Sequence, residues 1–236
     1  MTSKVLALRD QFLSALTQQT GAQARLEPFI RGLSAADFRA LPQAHSGSLA
    51  PLAAEHLPAM TPALASFGAL GNAVSALAPE LVWHAILEGA DVDEQLQRGL
   101  ISSQAGAAES IPTRLGIFML APGLHYPLHH HAALEIYYVV YGALSIQHGC
   151  AGTPFELGAG QFSVTPCYRV HALTTGSAPC LLIYAWTGSI SEPGWWWERD
   201  TDGGWRRVRW ERQPDGRWLQ CSSERVTAAV MREAGE

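Results

Sequence analysis

The chain has 236 residues, 47% of them hydrophobic, and can therefore bury one substantial core. Its net charge of −5 at pH 7 argues against a general nucleic-acid or anionic-membrane binder. The N-terminus lacks the basic and then apolar segments of a signal peptide, and no apolar run reaches the roughly 18 residues of a membrane span. The four cysteines form no C-x-x-C pair. We therefore expect a reduced, cytoplasmic protein.

Residues 1–105 have the pattern of a helical region. Apolar residues recur at helical spacing between Val5 and Leu16, which predicts an amphipathic helix there. Little in this region suggests chemistry, and we expect it to form a helical layer that packs on the rest of the chain. Further helices are expected to begin at Ser34–Asp37, Thr61 and Asp91.

Residues 106–200 change to short β-rich runs separated by glycine and proline. Several strands of this length and spacing are typical of an antiparallel sandwich or barrel, whose mouth can hold a ligand. The expected strands are Leu115–Leu120, Glu135–Tyr141, Ala143–His148, Phe162–Thr165 and Cys180–Trp186.

Residues 201–236 form a tail rich in tryptophan and arginine, which follows a run of three tryptophans beginning at Trp195. The turn residues between Gln213 and Arg217 predict a terminal hairpin. From Glu198 to Arg217 six arginines are opposed by five acidic residues, so no basic patch for nucleic acid results. We expect the indoles to pack against the barrel or against a partner subunit, and a homodimer stays open.

A first cluster of potential metal ligands lies between Gly123 and Gly142. His129, His131 and Glu135 are spaced as H-x-H-x3-E. Residues two apart on a strand point the same way, so the two imidazoles can face one ion, and Glu135 returns to it after a short turn. With its flanking glycines, this is the spacing of the first cupin motif.

A second cluster follows downstream and supplies one more histidine. Gly160, Pro166 and His171 have the spacing G-x5-P-x4-H of the second cupin motif, whose histidine completes the metal site. Tyr168 stands where that motif usually has glycine, and Thr175 stands where it usually has asparagine. Neither change touches a ligand.

The residues around these motifs resemble those of a narrower family. The run from Tyr126 through the three histidines to Glu135 and Tyr137, and the later run Tyr184-x-Trp-Thr-Gly, are similar to the bacterial cupin lyases of dimethylsulfoniopropionate (DMSP), most of all the DddL type, to which DddQ is related. The resemblance implies a mostly β protein: a single antiparallel, jelly-roll-like cupin barrel preceded by an α-helical layer.

The resemblance also implies a reaction and a cofactor. DMSP would be cleaved to dimethyl sulfide and acrylate with one divalent transition metal, of which Fe, Mn and Zn suit this ligand set best. Tyr126 and Tyr137 would lie beside the metal, and one of them would be the base. Candidate contacts to the substrate are His125, Tyr138, Tyr184 and Trp186, while His130 is expected to face away from the ligands.

Two other classes of function stay open. Another small-molecule metallocupin enzyme, an oxygenase or isomerase, would have the same ligands, and oxygen dependence would separate an oxygenase from a lyase. A metal-binding sensor without enzymatic activity is the other alternative. Two potential bases, Tyr126 and Tyr137, argue against it.

Overall fold

Helices dominate the first hundred residues of the protein in a computed structural model, which describes residues 1–42, 50–87, 92–213 and 218–236. The helices are α1 Thr2–Thr17, α2 Gln23–Leu33, α3 Pro51–Ser66, α4 Gly68–Leu77 and α5 Glu94–Gly99, with a 3-10 turn at Ala78–Glu80 and two short strands, β1 Arg39–Ala40 and β2 His84–Ala85.

The predicted helix between Val5 and Leu16 is confirmed as α1, which buries an apolar stripe at helical spacing. The other predicted starts were wrong or untested. Ser34 ends α2 instead of opening a helix. Thr61 lies inside α3, which continues through two exposed prolines because its apolar stripe stays buried. Asp91 lies outside the described residues, and α5 begins at Glu94.

The rest of the chain is almost entirely antiparallel strand. The strands are β3 Leu100–Ala108, β4 Thr113–Leu120, β5 His125–His130, β6 Ala133–Tyr141, β7 Ala143–His148, β8 Phe155–Gly158, β9 Phe162–Thr165, β10 His171–Thr174, β11 Cys180–Gly188, β12 Gly194–Arg199, β13 Trp205–Arg212 and β14 Trp218–Arg225, followed by α6 Ala228–Glu233. The five predicted strands are confirmed within β4, β6, β7, β9 and β11.

These strands form two packed sheets. Sheet A has the order β1-β3-β4-β11-β6-β9, with β2 on β3, and sheet B has the order β14-β13-β12-β5-β10-β7-β8. Among the described residues the strands thus make a two-sheet sandwich instead of one continuously hydrogen-bonded barrel. The N-terminal helices cover the outer face of sheet A in one core, and a second core fills the space between the sheets.

The C-terminal tail belongs to sheet B. Strands β13 and β14 pair antiparallel, which confirms the predicted hairpin, although its turn at 214–217 lies outside the described residues. Strand β12 joins this hairpin to β5. The division into 1–105, 106–200 and 201–236 stays a prediction, and β3 crosses its first limit. None of the described helices is long and apolar enough to cross a membrane.

Tyr168 has a strained backbone. Its φ of 61° is the one positive value among the described non-glycine residues. This conformation explains why the second cupin motif usually has glycine there, because an L side chain in it costs about 1–2 kcal/mol. The turn keeps this strained conformation because the backbone N–H of Tyr168 donates a hydrogen bond to the carbonyl oxygen of His131, 2.8 Å away.

We expect Tyr168→Gly to be more stable than Tyr168→Ala by about 1 kcal/mol, because only glycine relieves the left-handed backbone. Both variants lose the same hydrogen bond from the Tyr168 hydroxyl to Glu192. Their difference in the free energy of unfolding, measured by denaturant titration, therefore isolates the backbone. An alanine variant as stable as the glycine variant would show that the turn is unstrained.

Candidate metal centre and cavity

Two cross-strand rows of polar side chains meet between the sheets. In sheet B, His171 pairs in register with His129 on one side and with His148 on the other. In sheet A, Glu135 pairs in register with Trp186 and with Thr165. Residues directly opposite in neighbouring strands share one face of a sheet. The fold therefore gathers the motif residues in the interior.

The three predicted histidine ligands are buried and held in one ring orientation. Their Nδ1 atoms lie 2.8 Å from the carbonyl of Pro127 for His129, 3.0 Å from that of Ala133 for His131 and 2.9 Å from that of Arg169 for His171. A carbonyl can only accept, so each Nδ1 carries the proton and donates it. Each Nε2 is thereby the ring nitrogen left free to meet an ion, as in a metal-binding imidazole.

Glu135 is 2% exposed and lies at the centre of this group. Its Oε2 is 2.9 Å from Nε2 of His131 and 3.4 Å from Nε2 of His171. Its Oε1 accepts a hydrogen bond from the indole of Trp186. Burial alone would raise the pKa of Glu135, but the charge and hydrogen bond of His131, together with the charge of His171, hold it below its usual value.

His131, Glu135 and His171 form a group that could hold a metal ion. One ligand atom from each lies within 4.8 Å of the others. Nε2 of His171 is buried and has no hydrogen-bond partner among the described residues, which is costly unless something else binds it. Imidazole nitrogens with one carboxylate oxygen suit a divalent transition metal. The residues present therefore fit such an ion, whose identity they leave open.

His129, the fourth predicted ligand, lies beside this group without being one of the three. Its ring centroid is 4.0 Å from that of His171. On its other side it stacks on Tyr126, with centroids 3.9 Å apart and planes 15° apart. Its role as a ligand stays a prediction.

Both predicted catalytic tyrosines lie next to the metal-binding group. Tyr126 on β5 accepts a hydrogen bond from the indole of Trp196, and burial raises its pKa more than that bond lowers it. Tyr137 on β6 is hydrogen-bonded to Glu135, and its ring is 6.2 Å from that of His171. Burial, and then the charge of Glu135, raise the pKa of Tyr137 well above its usual value.

A cavity of about 690 Å³, counted to its open mouth, extends from the metal-binding group between the two sheets. Two of the four predicted substrate contacts, Tyr184 and Trp186, line it. Trp186 also packs against His131, with ring centroids 4.3 Å apart and planes at 34°. One side chain thus touches two members of the metal-binding group and the cavity.

The other two predicted substrate contacts do not line the cavity. Tyr138 lies on the opposite face of β6, where its ring packs edge-on against Phe12 and Phe67 of the helical layer. Neighbouring strand residues point to opposite sides, so Tyr138 cannot accompany Tyr137 into the site. His125 is exposed and bonds to Thr174 through Nδ1. Both assignments are therefore corrected.

Several cavity residues were missed by the sequence analysis. Trp196 and Trp210 reach the cavity from the C-terminal strands, and Arg114 and Phe118 reach it from β4. His130, expected to face away from the ligands, also borders the cavity and accepts a hydrogen bond of 2.7 Å from Trp197. The alternation within the run Trp195–Trp197 was the available signal, because on a strand its middle residue faces away from the outer two.

Comparison with known sequences and structures identifies the family. The sequence model of dimethylsulfoniopropionate lyases matches residues 36–182, more than half of the chain. The chain belongs to the DMSP lyase family. The lyase assignment from the sequence is thereby confirmed.

Individual DMSP lyases show how far the likeness extends. Putative DMSP lyase DddL of Cereibacter sphaeroides is 38% identical over 85 residues, which is about a third of each chain (34% of both). DMSP lyase DddQ of Ruegeria pomeroyi is 26% identical over 186 residues, covering 76% of this chain and 90% of that protein.

Solved structures extend the likeness to the fold. The crystal structure of DddQ from Ruegeria pomeroyi gives a TM-score of 0.55 at 20% identity, over 80% of this chain and 94% of that one. A structure from a study of the DMSP lyases RdDddP and RnDddQII gives 0.56 at 24% identity, over 79% and 97%. The predicted cupin fold behind a helical layer is confirmed.

We expect Trp186→Phe to weaken metal binding about 10- to 100-fold, because it removes the hydrogen bond that orients Glu135 while keeping a ring beside His131. Competition with a fluorescent chelator would measure the dissociation constant. Trp205→Phe is the matched control, since Trp205 packs on Trp197 and Arg199 away from the cavity. Equal affinity in wild type and Trp186→Phe would contradict the orienting role.

Proposed function

We propose that the protein is a metal-dependent lyase that cleaves DMSP to dimethyl sulfide and acrylate by β-elimination. The observation that carries this proposal is the placement of Tyr126 and Tyr137 against a buried His–Glu–His group at the inner end of an aromatic cavity. Membership in the DMSP lyase family supports the same substrate.

The chemistry sets clear demands on the site. A base removes a proton from the carbon next to the carboxylate, the C–S electron pair leaves with sulfur as neutral dimethyl sulfide, and the double bond of acrylate forms. The leaving group departs from a sulfonium and needs no acid. A bound divalent metal, held by His131, Glu135, His171 and the adjacent His129, would act as a Lewis acid toward the substrate carboxylate.

The base in this proposal is one of the two tyrosines. A tyrosinate is basic enough to take a weakly acidic α-proton. Both phenols lie close enough to Glu135 for its charge to raise their pKa values. Burial raises the pKa of both phenols and so favours their protonated form. A nearby cation favours the anionic form of a phenol, so metal loading and activation of the base are coupled.

Their neighbours distinguish the two candidates. Tyr126 is fixed between His129 and the indole N–H of Trp196, which would hold a phenolate oxygen in place. Tyr137 shares its strand face with Glu135 and donates toward that carboxylate. Substrate bound in the cavity meets both residues, since both line it.

The decisive experiment is headspace detection of dimethyl sulfide from metal-loaded protein given DMSP. We expect release from wild type and a loss of 10²- to 10⁴-fold in kcat for the Phe variant of the tyrosine that serves as base, because general-base catalysis contributes about that much. The Phe variant of the other tyrosine should lose less, with a larger share of its effect in KM.

Tyr138→Phe is the matched control, because it removes a phenol from the next residue of the same strand on the face away from the cavity. It should retain wild-type rates, and His131→Ala should abolish release. Absence of dimethyl sulfide with Fe, Mn and Zn alike would refute the proposed reaction. Full activity in both Tyr126→Phe and Tyr137→Phe would refute the tyrosine base.

A further inference from the structure

The end of the cavity that lies beyond β5 is built by the C-terminal strands, outside the residues 36–182 that match the family. Trp196 on β12 is the cross-strand neighbour of His129, one strand away from the metal-binding row. Trp210 on β13 lies one strand further. Both rings line the cavity.

These two tryptophans form a continuous aromatic wall. Their ring centroids are 5.2 Å apart with planes at 38°, and Trp196 is 5.9 Å from Tyr126. Strands lie about 4.8 Å apart, so a group attached to a short carboxylate held at the His129 row reaches the ring of Trp196. The wall therefore faces whatever the substrate carries at its far end.

The distribution of charge around the cavity indicates which chemical group the far end of the substrate can carry. Glu135 is the one carboxylate among the described residues that line it, and its oxygens are engaged, Oε2 by His131 and His171 and Oε1 by Trp186. The guanidinium of Arg114 belongs to the same cross-strand row as Trp186 and Glu135, at the carboxylate end. A cation at the far end thus meets aromatic faces instead of a counter-ion.

We propose that Trp196 and Trp210 are specificity-determining residues that bind the onium group of the substrate through their ring faces. The ligand class is a short carboxylate with a methylated sulfonium or ammonium at its β-carbon. Ring faces respond to charge and size and not to the element that carries the charge. The site therefore binds the trimethylammonium analogue of DMSP as well, and this inference rests on the proposed function.

Trp210 permits a clean substitution. It is 2% exposed, and its indole N–H has no hydrogen-bond partner among the described residues. Replacing it by phenylalanine consequently removes no hydrogen bond and keeps an aromatic face, whereas leucine removes the face and keeps an apolar side chain. Neither substitution would be as clean at Trp196, because each would also remove the hydrogen bond from its indole to Tyr126.

The test compares two ligands of equal shape by calorimetric titration of the metal-loaded protein. These are 3-(trimethylammonio)propionate and 4,4-dimethylpentanoate, whose tert-butyl group is the uncharged carbon isostere of trimethylammonium. We expect wild type to bind the ammonium compound about 2- to 30-fold more tightly, the range that cation–π attraction gives. Trp210→Phe should keep most of this preference, and Trp210→Leu should reduce it with little change in the affinity for 4,4-dimethylpentanoate.

Trp205→Leu, at the outer face of the hairpin, is the control and should bind both ligands as wild type does. Equal affinity of wild type for the two isosteres, or a Trp210→Leu variant that loses both equally, would overturn the proposal and leave only an apolar wall. The assay needs no turnover. Failure to release dimethyl sulfide from DMSP refutes the lyase function, whereas release without an ammonium preference refutes this inference alone.

Discussion

The carboxylate of Glu135 lies between two sheets with 2% of the residue exposed, and the surrounding site is arranged around that buried charge. Removing a carboxylate from water costs several kcal/mol unless hydrogen bonds and opposite charge compensate for it. His131, His171 and Trp186 approach it from the end of β5, from β10 and from β11. The same contacts that compensate the charge therefore tie the ligand strands of one sheet to the centre of the other.

The site could be predicted from sequence where local geometry determines it. The spacing of His131, Glu135 and His171 predicted three potential ligands in one group, because the turn between β5 and β6 and the pairing of β10 with β5 return them to one place. Tyr137 followed from strand alternation relative to Glu135. The same alternation excludes Tyr138 from the cavity, and applying it from Glu135 onward would have placed that residue under the helices.

What could not be predicted depends on contacts between distant segments. Nothing near Trp196 in sequence indicates that β12 pairs with β5, yet that pairing brings its indole to Tyr126. The predicted helix start at Thr61 failed for a related reason. Thr61 is a good capping residue, but the burial of a continuous apolar stripe extends α3 over both of its exposed interior prolines. At Thr61 the burial of the apolar stripe of α3 therefore outweighs the local preference of the residue for a helix start.

The position of β12 next to β5 has a consequence for the order of events in the cell. Strand β5, which carries His129, is flanked by β10 on one side and by β12 on the other. Its second neighbour is synthesised some 65 residues later, so during translation β5 emerges as an open edge whose backbone groups can template unwanted pairing. A nascent chain paused before Gly194 would be prone to aggregation, and the cavity can close only after the tryptophan-rich strands leave the ribosome.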